Sequence, residues 1–140
     1  MSWDISIYKF PTAYSSVADI PEDSSLVPLG TRRSVQQAIS KVFADTDWSD
    51  PAWGIWESSN GSIEFNLGES ETNDGFMLHV RAGGEVVPLI VSLCIDNEWQ
   101  GLDCSTGEFI ERSSNPAQGL ESWADYAAGI INPDKGRSTH

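Results

Sequence analysis

The sequence predicts an α+β fold: a mostly antiparallel sheet in β-α-β-β-β-α-β order, with two helices packed on one face. Two kinds of periodicity carry this reading. Short stretches alternate apolar and polar residues, the period of a half-buried strand, and two longer stretches repeat apolar residues at three and four, the period of a helix. The order carries the rest, because strands grouped together with a few helices make two layers rather than a helix-interleaved parallel sheet.

The elements follow in turn. Over residues 3–10, Trp3, Ile5 and Ile7 alternate with polar neighbours, which makes a first strand. Pro11, Pro21, Pro28 and Gly30 punctuate a long connection over 11–30. A helix follows over 32–44, capped by Thr31 or Ser34, with Val35, Ala38, Ile39, Val42 and Phe43 on its apolar stripe. The run Asp45-Thr-Asp-Trp-Ser-Asp-Pro reads as a turn, since Pro51 cannot continue a helix. Strands over 52–57, 62–67 and 76–81 form a meander, the first two joined through Asn60-Gly61, a strong hairpin signal. An acidic loop over 68–75 precedes the third. A second helix over 85–96 carries Val86, Val87, Leu89, Ile90, Leu93 and Cys94, with Pro88 in or near its first turn. A short strand over 99–104, a tight turn with an edge strand after it, and a weak helix over 117–128 complete one domain over 1–131. Residues 132–140 carry no apolar anchor and read as a flexible tail.

Composition excludes several function classes. A chain of 140 residues is long enough to bury about two thirds of its unfolded surface without metal or disulfide support. No apolar run approaches the length of a membrane span, and the first residues lack the basic and apolar regions of an export signal. The expectation is a cytoplasmic protein with no membrane partner. Twenty-one acids against eight bases leave a net charge of −13, which repels nucleic acid. Between Lys41 and Arg112 Arg81 is the one base among fourteen acids, so the charge belongs to the folded body. Such a surface serves solubility, or it steers a basic partner. Cys94 and Cys104 have apolar neighbours and no metal-ligand spacing, so both are expected reduced and buried.

The runs Asp47-Trp-Ser-Asp-Pro-Ala-Trp-Gly, Ser62-Ile-Glu-Phe-Asn-Leu-Gly, Phe76-Met-Leu-His-Val-Arg and Leu102-Asp-Cys-Ser-Thr-Gly-Glu-Phe carry a resemblance. Over about residues 1–110 the chain resembles a family of small bacterial proteins of unassigned activity. In size and acidity it is similar to immunity proteins that neutralise antibacterial toxins. The resemblance supplies no catalytic residue.

Strand parity assembles the main candidate site. Glu64 and Asn66 oppose the apolar set Ile63, Phe65 and Leu67, while His79 and Arg81 oppose Phe76, Leu78 and Val80. If the two strands pair, these four share the face away from the helices, and Asp103 joins them if Leu102 and Cys104 point inward. The array has three readings: cross-strand ion pairs on a solvated face, a partner-binding face, or an acid–base site lacking an activated nucleophile. Trp56 is placed near the same face as an interface anchor, with burial in the core as its other reading. Asp45, Asp47 and Asp50 fail the calcium-loop pattern, so no metal is expected, and the glycine pair at 83–84 lacks the fingerprint of a nucleotide cradle.

Together these readings give a cytoplasmic immunity protein that covers a toxin enzyme's basic active-site cleft. It needs no cofactor and uses contacts among Asp47, Asp50, Trp56, Glu64, Asn66, His79, Arg81 and Asp103. A small enzyme or ligand binder built on Glu64, His79 and Arg81, or a structural adaptor, are the alternatives.

Overall fold

The computed structural model describes residues 2–12, 14, 17–113, 115–117 and 119–120. Six antiparallel strands form the main sheet, in the order β3-β4-β5-β7-β1-β8. They are β1 (Trp3–Tyr8), β3 (Asp47–Asp50), β4 (Trp53–Ser58), β5 (Gly61–Asn66), β7 (Phe76–Arg81) and β8 (Gln100–Asp103). A separate two-stranded ribbon pairs β2 (Gly30–Thr31) with β6 (Thr72–Asn73). The ribbon ties the start of helix α1 (Arg32–Val42) to the acidic loop before β7. Helix α2 (Val87–Asn97) precedes β8. The fold is therefore α+β, as the periodicities predict.

The N-terminal strand lies inside the sheet, between β7 and β8. Its alternation explains this: Trp3, Ile5 and Ile7 are buried on one face, where β7 supplies Leu78 and Val80 and β5 supplies Ile63 and Phe65. Both helices cover that face. Phe43, at the end of α1, meets Trp56 of β4 and Phe65 of β5, while Val35 and Ile39 of α1 and Val87, Ile90, Leu93 and Cys94 of α2 complete the core. Burying one such aliphatic side chain contributes about 1.5–3 kcal/mol. Apolar burial therefore fixes which face of every strand looks inward.

Caps and turns follow local chemistry. Thr31 caps α1, its Oγ1 accepting from the Ser34 N–H at 3.1 Å. Asp45 beyond the helix end and Glu98 at the end of α2 adopt positive φ, 67° and 57°. The β4–β5 hairpin closes with Ser58 opposite Gly61. Gly61 has φ of 139°, and a Cβ there would collide with the Arg81 carbonyl, so the turn tolerates only glycine.

Three expectations need correction. Residues 47–50 are an edge strand rather than part of a turn; pairing with β4 wins because Trp48 inserts over the bare backbone of Gly54 and reaches Phe65. The stretch after β8 is not an edge strand. It turns through Gly107 at φ 73°, makes one bridge from Phe109 to Leu102, and enters a 3₁₀ turn over Ile110–Arg112. Cys104 is exposed, not buried: it follows β8 on the face away from the helices, where its Sγ lies 3.5 Å from Ser6 Oγ. Cys94 is buried and unbridged as expected, and burial pushes its thiol well above the ordinary cysteine range, with Glu111 adding to the rise. Of the helix expected over 117–128, only 117, 119 and 120 are described; the rest, like the tail over 132–140, lies outside the described residues.

Candidate functional site: the uncovered sheet face

Register decides what the other face displays. Residues directly opposite each other in an antiparallel pair share a face. Across the sheet, Asp47, Ile55, Glu64, His79 and Asp4 form one row. Asp50, Trp53, Asn66, Met77, Ser6 and Leu102 form the next. Among the described residues no helix packs on these rows. This face is polar and acidic, with aromatic and aliphatic groups set into it.

Its centre is tied together internally. His79 Nδ1 lies 2.9 Å from Asp4 Oδ1, and because a carboxylate only accepts, the ring nitrogen is the donor. The imidazole also stacks on Trp53, with centroids 5.7 Å apart and planes 20° from parallel. Arg81 donates from Nη1 to Glu64 Oε2 at 2.9 Å, a cross-strand pair with the guanidinium side chain 41% exposed. Exposed pairs of this kind contribute about 0.2–1 kcal/mol, so they orient side chains more than they stabilise the fold. At the β3 edge the Ser49 hydroxyl and N–H hold the Asp47 carboxyl below its usual range. Asp50 accepts from the Ala52 N–H at 3.0 Å.

Glu64, His79 and Arg81 lie together on this face with Asn66 beside them, and Asp47 and Asp50 border it. Two expected members do not belong. Trp56 stands opposite Ile63, so it points toward the helices, where its ring meets Phe43 edge-on at 5.2 Å. Asp103 stands opposite Ile5 and therefore also faces the helix side, where it is 2% exposed. Its Oδ1 accepts from the Ser105 N–H and hydroxyl at 2.8 and 2.6 Å, which is how a carboxylate is tolerated there. Leu102, not Asp103, shares the uncovered face.

Two members escaped the sequence reading, and both were accessible to it. The parity of β1 that places Trp3, Ile5 and Ile7 inward places Asp4 outward. The hairpin parity that places Trp56 inward places Trp53 outward, onto His79.

Two clefts open nearby. One of about 510 Å³ is lined by Ile95, Glu98, Trp99, Glu111 and neighbours. The other, of about 240 Å³, adjoins the uncovered face at Tyr8, Leu26 and Met77. Neither is lined by His79 or Glu64. No family model, no curated protein and no solved structure matches this chain.

Proposed function

We propose that this chain is a protein-binding inhibitor, most concretely a cytoplasmic immunity protein that docks its uncovered sheet face on a basic toxin or effector enzyme and occludes the cleft. One observation carries this reading: a sheet face whose centre, Asp4–His79–Trp53 beside Glu64–Arg81, is held in place by its own contacts and bordered by further carboxylates. A pre-ordered aromatic among oriented charges is how a docking surface lowers the ordering cost of binding. The acid excess supplies steering toward a cationic partner. Trp53, not Trp56, takes the anchor role, and no metal or nucleotide enters the complex.

The Asp4–His79 pair supports a second reading, because it leaves Nε2 as the free ring nitrogen, the geometry of an oriented general base. Docking is favoured because His79 lines neither cleft and, among the described residues, no activated nucleophile is hydrogen-bonded to its ring. The test is co-expression with toxin-like proteins encoded beside its gene. We expect rescue of growth and a co-purifying complex, both lost in Trp53→Ala. Failure of both rescue and complex formation with every such candidate removes the immunity reading.

A further inference from the structure

The small cleft beside the acidic row has a shape and a neighbourhood that specify what enters it. Ser6, Tyr8, Leu26, Asp74 and Met77 line it with Gly75, and none of these is cationic. Its floor depends on Gly75: a Cβ there would fall 2.7 Å from the Tyr8 ring, so the missing side chain lets the aromatic lie flat against the backbone. Leu26, reaching over from the loop before β2, is 41% exposed, a large apolar group left at the rim. Val27 fixes that loop by donating to the Lys9 carbonyl at 2.7 Å, so the rim is positioned by the backbone. At about 240 Å³ the cleft falls below the roughly 300 Å³ at which small-molecule pockets begin. Its lining is mostly apolar, through Tyr8, Leu26, Phe76 and Met77, which suits an aliphatic side chain.

The cleft also lies at a fixed distance from charge. Ser6 and Met77 face each other, one row along the strands from Asp4 and His79. Alternate residues of a strand on one face are about 6.8 Å apart. An extended segment laid along the strands therefore sets a side chain in the cleft while the residue two positions away reaches the Asp4–Glu64 row.

We infer that the cleft is the anchor socket for an extended segment of a protein partner, a segment that carries leucine or a similar aliphatic residue two positions from an arginine or lysine. The inference rests on the docking reading and adds the chemistry of the partner. The aliphatic group buries against Tyr8, Leu26 and Met77. The cation meets the second carboxylate oxygen of Asp4, whose first oxygen His79 already holds.

The test uses the full chain and three capped pentapeptides, read by amide chemical-shift titration. They are Ac-Ser-Arg-Ser-Leu-Ser-NH2, a variant with the leucine replaced by serine, and a variant with the arginine replaced by glutamate. We expect the first to shift Gly75, Leu26 and His79 together, the leucine-free peptide to bind about tenfold more weakly, and the acidic peptide to leave the face unmoved. Leu26→Asp should remove the leucine advantage while leaving the His79 shifts produced by arginine. If the leucine-free peptide binds the acidic row as tightly as the first, the socket is wrong and the docking face stands. If no basic peptide moves any resonance on the face, both fall.

Discussion

At the scale of single residues, Trp53 and Trp56 divide the work that one of them was expected to do. They are three positions apart on β4 and point to opposite faces, one onto His79 and one onto Phe43. Truncating Trp56 removes aromatic packing from the core, and Trp56→Ala should cost about 3 kcal/mol in denaturant unfolding. Trp53→Ala removes a half-buried stack on His79 outside the core and should cost about 1 kcal/mol or less. Equal losses would contradict the register. Glu111 gives a pH signature. One carboxyl oxygen accepts from the Gly101 N–H at 2.7 Å, while the other is buried without a partner among the described residues. Burial, only partly opposed by that hydrogen bond and by Arg112, raises its pKa above the ordinary 4.5. A carboxyl raised in the folded state binds its proton more tightly there than in the unfolded chain. Its contribution is therefore fully present below pH 4.5 and is lost as pH rises through the folded value. Glu111→Gln keeps the acceptor and cannot ionise. It should match or exceed the native chain in stability at pH 7 and flatten this part of the stability–pH curve.

At the scale of elements, the β4–β5 hairpin sets the whole uncovered face. Pairing Ser58 with Gly61 fixes Ile55 against Glu64 and Trp53 against Asn66. Gly61→Val combines a forbidden φ with a collision at the Arg81 carbonyl, and should cost about 3 kcal/mol or prevent folding. Loss of less than about 0.5 kcal/mol on thermal unfolding would contradict that turn geometry. Thr31→Ala removes the α1 cap and should cost about 1 kcal/mol. These elements show what was legible in the chain. Strand alternation in 62–67 and 76–81 was enough to bring Glu64, Asn66, His79 and Arg81 together, because inward apolar burial leaves their side chains one direction. The Asn60-Gly61 signal already implied that Trp56 faces inward, since a two-residue loop at either adjacent register leaves 53, 55 and 57 on Glu64's side. Alternation within β4 alone does not say which of Trp53 and Trp56 looks outward; carrying the hairpin register across from Glu64 does, and it turns Trp56 inward. Asp103 was misplaced for another reason. Its strand has Gly101 at a core position, where Cys94 and Ile110 approach closely, so its inward face lacks an apolar label. Edge strand β3 was hidden because its residues are Asp, Trp, Ser and Asp, and only pairing with β4 makes them a strand.

At the scale of the whole molecule, helices seal one side of the sheet, and among the described residues no helix packs on the acidic side. A net charge of −13 raises the encounter rate with any cation-rich surface and does so less as salt screens it. Solubility alone requires no particular face, whereas docking requires the rows through Trp53 and Glu64. The most direct measurement is therefore the association rate with a basic partner identified by rescue, followed by stopped-flow across salt for the native chain, Glu64→Lys and Trp53→Ala. We expect association to slow steeply with salt, Glu64→Lys to slow it further, and Trp53→Ala to act mainly by raising the dissociation rate. A complex whose rates are unchanged by both substitutions would place the partner on another surface and contradict the assignment of the uncovered sheet face.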